Sequence, residues 1–524
     1  MPEALITQDA PAHTNRTSLS GFVILIPVAS FLFSIWAIFV GFHHSLFDFH
    51  GFRQTQTAIS VEYMEHGGPF LHYLTPVLGP PWSIPFEFPV YQKIVALLVD
   101  HLHTRLNETG RAVSILFFYL SFLPLASILK RLRYNANQIL AVLSLFAVSP
   151  LYIFVSRLFM IESMALFLSL MYVDIIFRLF LGHHPWQYRH ILLAAFFGSL
   201  AGVVKITTFV PFVLLGAAVA AWHICKRRRS LTLSRIAAIT LLCGLLPAAL
   251  TLWWTKFADA HRADNPVGAL ILSSKGIFAT WNFGTLAERL HPANYLRFMH
   301  AVPGQAGSLP LLVLLALTYA IVVRRLNVAA LVSLALYIIT PMIFFNLHLI
   351  HAYYPYASAI FLLASAGLLI ADLITLPGRM SWLGFVFLLA LIGTCIVRYH
   401  GSYYQYQRWD APGTPELATI IDRTTAPGDV IVITGLDWSS ELPYQSHRRA
   451  IMDPNALSFL FPNSLGPIEP VILNQHSQTI PEMVVCGEMR DTGRARRLLD
   501  LLEIQPSTTA LHADNCDVYL RAAK

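Results

Sequence analysis

The sequence predicts a polytopic α-helical membrane protein with a small α/β domain at its C-terminal end. Of the 524 residues, 56% are hydrophobic and 12% are charged, whereas about 25% of a typical soluble domain is charged. The first long apolar run, Gly21 to Gly41, contains no charged residue, and about 20 apolar residues are enough for a helix to cross the hydrocarbon layer. After Arg398 the polar composition returns, and helix-like and strand-like segments alternate.

The run from Gly21 to Gly41 is predicted to stay in the chain as an anchor. The apolar region of a cleavable signal peptide is about 7–15 residues long and ends in a cleavage site of small residues. This run is longer, and an aromatic residue and two histidines follow it at 42–44. Residues 1–20 are then a cytoplasmic tail, and residues 21–397 form the membrane domain.

Ten further apolar runs are predicted to be helices, which brings the total to about eleven spans. These runs are Ala112 to Leu129, Ile139 to Val155, Met164 to Phe180, Ile191 to Val204, Phe209 to Ile224, Ile236 to Trp254, Leu309 to Val323, Val328 to Phe345, Tyr356 to Ile374 and Trp382 to Val397.

Lysine and arginine gather in alternate connections between these spans, at 130–133, 226–229, 324–325 and Arg379. Short basic loops stay in the cytoplasm. We therefore expect a cytoplasmic N-terminus and, after an odd number of spans, an extracytoplasmic C-terminal region. The basic cytoplasmic loops and the lack of long insertions favour a bacterial inner membrane.

The long polar connections are predicted to lie on the external side, and the chemistry with them. They are a first external loop at 42–111, a second at 256–308 and the region 398–524. A transporter often places its ionisable residues near the membrane midplane within repeated halves, and the sequence shows no such repeat.

The region 398–524 is predicted to be a small extracytoplasmic α/β domain, since about 125 residues can bury a core. No phosphate-binding glycine loop or nucleophile elbow is recognisable in it, so we interpret it as acceptor-binding or structural. Cys486 and Cys516 form a disulfide if that side is oxidising, or remain two free thiols. The expected elements are helices at Glu416 to Arg423 and Arg494 to Leu502, and strands at Val430 to Thr434, Met483 to Cys486 and Val518 to Arg521.

The first external loop is dense in aromatic residues and prolines. Its segment Thr57 to His66, which carries Glu62 and Glu65, is compatible with a helix lying on the membrane surface before a proline-rich return. The motifs FRQTQTA and EFPVYQ in this loop, and SRLFMIESMALF after the third span, resemble the GT-C superfamily of membrane glycosyltransferases. The most similar branch contains the protein O-mannosyltransferases and aminoarabinose transferases, which are described as dolichyl-phosphate-mannose-protein-mannosyltransferase-like.

The resemblance implies a GT-C-like fold and an inverting glycosyltransferase. Such an enzyme moves a hexosyl or pentosyl group from a polyprenyl-phosphate donor to a glycan, lipid or protein acceptor of the cell envelope. Members of the family carry an acidic residue soon after the first helix and another in the next external hinge, and Asp48 and Glu162 match these positions. The family's adjacent Asp-Glu pair is absent, and Gln56 stands where the related form WRQADTA has an acid. Asp48 is therefore the first candidate for the catalytic base, ahead of Glu87 and Glu62, and Glu87 or Glu162 is the candidate for a supporting catalytic role.

The leaving group of this reaction is a lipid phosphate, which gains negative charge as the bond breaks and needs cationic groups nearby. The candidates are Arg53, Arg157, Lys205 and Lys93. Lys205 stands between two apolar runs on the external side, where a positive charge departs from the usual distribution.

Substrate-binding residues are expected in the same segments. Gln54 and Gln56 belong to the motif FRQTQTA, and the HAYY segment matches the family's outer segment before a late helix. This segment contributes His351, Tyr353 and Tyr354 as candidates, together with His348 just before it, although histidines and tyrosines also suit an ordinary membrane interface.

Each charged candidate also has a structural interpretation. Asp48 has the residue type of a helix cap. Glu87 is a candidate for a structural ion pair with Arg53, and Glu162 for one with Arg157. Charges at the edge of a membrane are costly, which favours a functional role for them.

No obligatory cofactor is predicted. The five cysteines lack the spacing of metal ligands, and the mannosyl and aminoarabinosyl branches need no metal for catalysis, although some distant GT-C enzymes hold a divalent ion. The expected partners are the lipid-linked donor, the envelope acceptor and membrane lipids, with no nucleic acid. The alternatives are a transporter or flippase of lipid-linked sugars, a polysaccharide ligase or polymerase, and a non-catalytic assembly subunit.

Overall fold

The structure is a computed structural model that describes residues 20–181, 187–226, 232–410, 415–475, 480–505 and 511–521. The expected N-terminal tail up to residue 19, and the basic residues at 227–229, lie outside these ranges. The chain forms two compact units, each assembled from three separated segments. Unit 1 comprises Met1–Phe42, Arg111–Leu252 and Thr280–Trp409, and unit 2 comprises His43–Gly110, Trp253–Ala279 and Asp410–Lys524.

Unit 1 is helical, as its apolar runs predict. Its α-helices are Ser20–Phe39, Phe122–Arg131, Ala136–Val148, Pro150–Ser156, Glu162–Leu181, Tyr188–Lys226, Leu233–Ile239, Leu286–Leu290, Pro292–Ala306, Leu309–Val323, Val328–Ile343, Phe345–Ile350, Ala359–Ile374, Ser381–Ser402 and Tyr404–Arg408. A π-helix covers Thr240–Leu245, and 3-10 helices cover Tyr354–Ala357 and Gly378–Met380. The chain passes between the units within helices Leu106–Leu120 and Leu246–Ala263.

Several helices are long and apolar enough to cross a membrane. Within the described ranges, five qualify singly, and the total is seven if each of two bent helix pairs is one span. Three shorter apolar helices, Ile24–Phe39, Val328–Ile343 and Ala359–Ile374, add to these. The predicted apolar runs are therefore helical, while the count of eleven spans stays a prediction. The five helices are Leu106–Arg131, Glu162–Leu181, Tyr188–Lys226, Leu233–Ala263 and Gly378–Ser402.

The helix Tyr188–Lys226 is interrupted at Lys205, whose backbone has φ −159° and ψ 91°. The sequence predicts two spans here, Ile191 to Val204 and Phe209 to Ile224, and the interruption falls between them. A helix of 39 residues has a length of roughly 58 Å at 1.5 Å per residue, which is about twice the hydrocarbon thickness. The interruption lets the chain change direction between the two halves.

Unit 2 contains a five-stranded sheet in the order β2-β1-β3-β5-β4. β1 pairs in parallel with β2 and with β3, whereas β5 runs antiparallel to both β3 and β4. The predicted strand Val430–Thr434 is confirmed, and all its residues are buried. The strands are β1 (Val430–Thr434), β2 (Arg449–Asp453), β3 (Glu482–Cys486), β4 (Leu511–Ala513) and β5 (Cys516–Leu520).

The helices of unit 2 come from all three of its segments. Helix Gly51–Glu65 of the first external loop, which we call the first-loop helix, begins before the predicted segment, and ten of its 15 residues are buried. The others are Val90–Leu102, Pro266–Ile271, Glu416–Thr424, Glu441–Ser446, Asn455–Leu460, Ile468–Asn474 and Gly493–Leu501, together with a 3-10 helix at Gly487–Asp491.

The first external loop completes the core around the sheet. Val77 and Leu78 are fully buried in the same apolar cluster as the residues of β1. The backbone nitrogen of Ala450 in β2 donates to the carbonyl of Pro76 at 3.0 Å, and that of Met452 donates to the carbonyl of Val77 at 2.9 Å. The loop thus satisfies the outer edge of β2, which would otherwise expose unpaired backbone groups.

A disulfide joins Cys486 and Cys516. The two residues are directly opposite each other in the antiparallel pair of β3 and β5. Of the two alternatives that the sequence leaves open for these cysteines, the structure has the bonded one.

Candidate functional site

The first external loop contains an ion pair between Arg53 and Glu87, both in unit 2. Nη2 of Arg53 lies 2.8 Å from Oε2 of Glu87, and the two side chains are only 18% and 6% exposed. The other carboxylate oxygen accepts a hydrogen bond of 2.8 Å from Nε2 of Gln92. The ion pair with Arg53, which is the structural interpretation of Glu87 in the sequence, is therefore present. Hydrogen bonds between charged groups are strong, and these two side chains are largely shielded from water.

Gln56 lies one turn after Arg53 in the first-loop helix. Its Oε1 accepts a hydrogen bond from Nη1 of Arg53. Its Nε2 is buried and has no hydrogen-bond partner within the described ranges. A buried polar group without a partner costs about 1–3 kcal/mol, so this N–H group is suited to meet an oxygen atom of a ligand.

Tyr73 fixes the backbone on either side of Glu87. Its phenol oxygen accepts a hydrogen bond of 2.8 Å from the backbone nitrogen of Phe86 and donates one of 3.3 Å to the carbonyl of Glu87. Burial raises the pKa of Tyr73 well above its ordinary value, so the phenol keeps the proton that it donates. Pro85 and Pro89 disfavour regular helix or strand pairing here, which leaves this short segment to be held by side chains.

Asp48 is held by the first-loop helix. Its Oδ1 accepts hydrogen bonds of 2.8 Å from the backbone nitrogen of Phe49 and 2.9 Å from Nε2 of Gln54. Gln54 is fully buried, and its Nε2 also donates to the carbonyls of Leu46 and Phe49. The Asp48 carboxylate, itself 7% exposed, is therefore oriented by a side chain that has no access to solvent.

Glu62 and Lys93 are engaged differently from the residues above. Oε1 of Glu62 lies 2.6 Å from Nδ1 of His447, and this hydrogen bond raises the pKa of His447. Lys93 is half-buried on helix Val90–Leu102. Among the residues that the structure describes, its side chain takes part in none of the hydrogen bonds around Glu87.

Arg262 is a cation of the second external loop that the sequence reasoning missed. Its guanidinium lies 5.4 Å from the centre of the Phe86 ring, and its side chain is 14% exposed and 3.6 Å from Asp259. Its charge, like that of Glu87, acts on Tyr73. In the sequence, Arg262 follows Asp259 by three residues in a helical pattern. This spacing is also that of an ordinary surface ion pair, which contributes little to stability, so it does not single out Arg262.

In unit 1, Lys205 forms an ion pair with Glu162. The amino group contacts both carboxylate oxygens, and the side chains of Lys205 and Glu162 are 11% and 2% exposed. Glu162 lies in the first turn of helix Glu162–Leu181, where the helix dipole favours a negative charge. The structure thus gives Glu162 a partner 43 residues away in sequence.

Two tyrosine rings lie beside the amino group of Lys205. It lies 4.6 Å from the centre of the Tyr354 ring and 5.3 Å from that of Tyr353. The ring of His351 is 5.4 Å from Tyr353 and 5.5 Å from Tyr354. The faces of such rings attract a cation, so these predicted residues do meet at one place in unit 1.

His348 is buried beside this group and offers a hydrogen-bond acceptor. Its Nδ1 lies 2.9 Å from the carbonyl of Phe344, which can only accept, so Nδ1 carries the proton. Burial, opposed by that hydrogen bond and assisted by the charge of Lys205, lowers the pKa of His348 to about 4. The ring is then neutral, and its Nε2 is an acceptor. This nitrogen is buried and has no hydrogen-bond partner in the described part of the chain.

Arg157 holds the end of the first apolar segment. It is fully buried, and its Nη2 donates to the carbonyl of Gly41 at 3.0 Å. Arg111, another fully buried arginine, donates to the carbonyls of Gly41 and Phe42 at 2.9 Å. The sequence marks Arg111 only as the boundary of the first external loop, because nothing near it in the chain indicates that it binds the carbonyls of Gly41 and Phe42.

The predicted residues divide between the two units. Asp48, Arg53, Gln54, Gln56, Glu87 and Lys93 belong to unit 2, and Arg157, Glu162, Lys205, His348, His351, Tyr353 and Tyr354 belong to unit 1. Across the described ranges, no three His, Cys, Asp or Glu side chains come together as a set that could hold a metal ion. The independence from a metal stays a prediction.

No protein-family model and no curated protein sequence matches the chain. Solved structures do match. The crystal structure of ArnT from Cupriavidus metallidurans bound to undecaprenyl phosphate matches 96% of this chain and 98% of that chain with a TM-score of 0.58, at 12% identity. The apo state of the same protein matches with a TM-score of 0.57. The archaeal oligosaccharyltransferase AglB from Archaeoglobus fulgidus, in complex with an inhibitory peptide and a dolichol-phosphate, matches 89% of this chain and 69% of its own with a TM-score of 0.52, at 11% identity.

The chain has a GT-C-like membrane fold. Its structural neighbours are GT-C glycosyltransferases, which confirms the fold that the motifs of the first external loop imply. The coverage of ArnT is nearly complete in both directions, so the likeness includes the sheet of unit 2 as well as the helices. Similarity at this level of identity concerns the fold, so membership of the mannosyltransferase-like branch stays a prediction.

Proposed function

We propose that the protein is an inverting glycosyltransferase that moves a sugar from a polyprenyl-phosphate donor to a cell-envelope acceptor. The main support is that the first external loop holds two nearly buried carboxylates in fixed orientations, Asp48 by Gln54 and Glu87 by Arg53. Burying a carboxylate is costly unless it is paired and hydrogen-bonded, and here the partners also fix the direction of each carboxylate. The chain shares its fold with ArnT, whose structure contains undecaprenyl phosphate, and this supports a sugar linked to a lipid phosphate as the donor.

We assign Asp48 as the base. It takes the proton of the acceptor hydroxyl as that oxygen bonds to the anomeric carbon, while the bond from this carbon to the phosphate oxygen breaks on the opposite face. The products are the inverted glycoside, protonated Asp48 and the free polyprenyl phosphate. Both oxygens of Glu87 already accept hydrogen bonds, from Arg53 and Gln92, so an acceptor hydroxyl would have to compete with them there.

In unit 2, Arg53 and Gln56 are assigned to the phosphate. Glu87 orients the guanidinium of Arg53, and the buried Nε2 of Gln56 offers a second donor from the same helix. Hydrogen-bond donors that are already in place stabilise a developing negative charge without reorganisation. Arg262, whose side chain is also mostly buried, adds positive charge beside Phe86, and Lys93 remains a further candidate.

Unit 1, taken by itself, offers a separate candidate site for a sugar phosphate, formed by the residues around Lys205. Tyr353 and Tyr354 present aromatic faces, Lys205 supplies a cation, and His348 supplies an acceptor for a hydroxyl hydrogen. A sugar phosphate carries both a negative charge and hydroxyl donors. Arg157 is fully buried, so we assign it to holding the carbonyl of Gly41 rather than to the donor.

We further propose that the sheet-containing part of unit 2 is extracytoplasmic and that the N-terminus is cytoplasmic, in a bacterial inner membrane. The disulfide between Cys486 and Cys516 supports this orientation, because such bonds persist in oxidising compartments. The alternation of basic connections along the sequence supports it independently. Reporter fusions after residue 130 and after residue 410 are expected to report opposite sides of the membrane.

The function is tested by supplying the purified protein with polyprenyl-phosphate sugars and extracted envelope acceptors. Wild type is expected to form a labelled product, Asp48→Asn to form much less because the base is lost, and Glu162→Gln to form much less because Lys205 loses its ion-pair partner. Asp100→Asn is the matched control, because the Asp100 side chain lies in the same loop and is 66% exposed. A chelator is expected to leave transfer unchanged. Undiminished transfer by both site variants would reject the assignment of the site.

A further inference from the structure

Trp438 packs on two phenylalanines of the first external loop. It lies in the loop that follows β1, within unit 2. Its ring is 4.8 Å from that of Phe52 at 88°, an edge-to-face contact. It is also 5.8 Å from that of Phe86 at 26°, a stacked contact. Aromatic pairs in these geometries contribute about 0.5–1.5 kcal/mol beyond the area that they bury.

Each of these phenylalanines immediately precedes one member of the ion pair. Phe52 precedes Arg53 on the first-loop helix, and Phe86 precedes Glu87 in the proline-rich segment. The two segments that carry the charges are 34 residues apart in the chain. The indole ring of Trp438 therefore contacts both segments at the residues next to Arg53 and Glu87. Its size would set the distance between these two charged residues.

The loop that carries Trp438 is itself held in place. It begins at Gly435, with φ 93°, where an added Cβ would lie 2.2 Å from the carbonyl oxygen of Cys486 at the end of β3. Only glycine fits such a close approach in this backbone conformation. β1 lies between β2 and β3, with both neighbours parallel to it, and in such sheets the loops at this point are where ligands usually bind.

The helix that follows this loop, Glu441–Ser446, lies against the first-loop helix. Oε1 of Glu441 lies so close to Gly51 that an added Cβ there would meet it at 2.7 Å. The ion pair of Glu62 with His447, at 2.6 Å, joins the other end of the same helix to the segment that leads into β2. The loop that carries Trp438 therefore lies between two contacts, one at Gly435 with the end of β3 and one between the following helix and the first-loop helix.

We propose that Trp438 is a positioning residue for the pair of Arg53 and Glu87, so that the sheet of unit 2 controls the geometry of the phosphate-binding group. This inference rests on the proposed function for its catalytic consequence. Its structural part, the coupling between Trp438 and the pair, stands independently of the reaction. Trp438 can affect the reaction without touching the reacting atoms, because a shift of about 1 Å in a catalytic or binding group can lower the reaction rate by roughly 100-fold.

The test compares Trp438→Ala with Trp438→Phe in the full-length protein. The alanine variant is expected to lower kcat by roughly 10- to 100-fold with little change in the KM for the acceptor. The phenylalanine variant, which keeps a stacked ring, is expected to recover most of kcat. Phe459→Ala is the matched control, because it removes an aromatic ring from the same part of unit 2 where the side chain is 86% exposed. A Trp438→Ala variant with wild-type kcat would overturn the proposal.

A double-mutant cycle separates positioning from general destabilisation. Combining Trp438→Ala with Glu87→Gln is expected to cost less than the sum of the two single effects, because residues that act together are not additive. The cycle is run on transfer rates and on thermal unfolding midpoints, and the second readout needs no activity. A wild-type protein without transfer activity would reject the proposed function. A double variant whose shift in unfolding midpoint equals the sum of the two single shifts would reject the role of Trp438. If Trp438→Ala fails to fold, Phe52→Leu replaces it in the same cycle.

Discussion

The amino group of Lys205 contacts both carboxylate oxygens of Glu162 at the residue where helix Tyr188–Lys226 is interrupted. The pair is mostly buried, with side-chain exposures of 11% and 2%. Two tyrosine rings lie within 5.3 Å of the amino group. An interrupted helix is thus used to place a cation and its partner among aromatic rings.

Removing one member of this pair is expected to destabilise the protein strongly. Glu162→Gln leaves the charge of Lys205 buried without its carboxylate, and breaking a buried ion pair in this way costs about 3–5 kcal/mol. The double variant Glu162→Gln/Lys205→Met removes both charges and is expected to recover part of that loss. Thermal unfolding in detergent measures the effect, and a double variant less stable than Glu162→Gln would contradict it.

Loss of the Gln54 side chain is expected to slow transfer without preventing folding. Gln54→Ala removes the amide that donates to Asp48 at 2.9 Å, so the carboxylate loses its fixed orientation. Removing a partner of a buried polar group costs about 1–3 kcal/mol, which corresponds to a rate loss of roughly 5- to 150-fold if it all appears in the transition state. Gln405→Ala, at an exposed position, is the control, and equal rates in the two variants would refute the role.

Glu482 is expected to make the stability of the sheet depend on pH. Burial raises the pKa of Glu482 from its ordinary 4.5 to about 7, although a hydrogen bond from Thr424 opposes this shift. Because the folded pKa is the higher one, the folded state binds the proton more tightly. The stabilisation is complete below about pH 4.5 and is lost as the pH rises through 7.

Glu482→Gln tests this dependence, because its amide oxygen still accepts the hydrogen bond from Thr424. Above pH 7 the variant is expected to unfold several degrees higher than wild type, and this advantage shrinks as the pH falls towards 5. The unfolding midpoint followed between pH 5 and pH 8 gives the answer. Parallel curves for the two proteins would show that Glu482 does not titrate in this range.

The disulfide is expected to stabilise the sheet by cross-linking β3 and β5. The two cysteines are 30 residues apart, and closing a loop of this size typically contributes about 2–4 kcal/mol. Cys516→Ser is therefore expected to lower the unfolding midpoint, and reductant to affect wild type but not the variant. Cys225→Ser, at an exposed free cysteine, is the control and is expected to behave as wild type.

The elements that the sequence predicted best are those with a strong local pattern. The strand Val430–Thr434 is a run of four branched apolar residues and a threonine, and all of it is buried. β2, at Arg449–Asp453, was missed because its first and last residues are charged. It forms a strand because one of its edges pairs with β1 and the other with the backbone at Pro76 and Val77. Neither partner is a neighbour of β2 in the sequence, so a local pattern does not reveal the strand.

The sequence indicates which residue types form the candidate site, but it indicates less well which of them form ion pairs with each other. The ion pair of Arg53 with Glu87 is one of the two interpretations that the sequence leaves open for Glu87, since both residues lie in one external loop, and the structure has it. Glu162 was considered with its sequence neighbour Arg157, yet its ion pair in the structure is with Lys205, which a helix interruption brings within reach. Trp438 carried no signal at all, because its contacts depend on how the loop after β1 is held.

The most direct test of the central claim follows a labelled donor through one reaction. Wild type given a polyprenyl-phosphate sugar and an envelope acceptor is expected to release one polyprenyl phosphate for each sugar transferred, with the anomeric configuration inverted in the product. Asp48→Asn is expected to reduce this transfer by roughly 10²- to 10⁴-fold, the usual contribution of a general base. Transport of an unchanged donor across the membrane by wild type, without release of polyprenyl phosphate, would contradict the account.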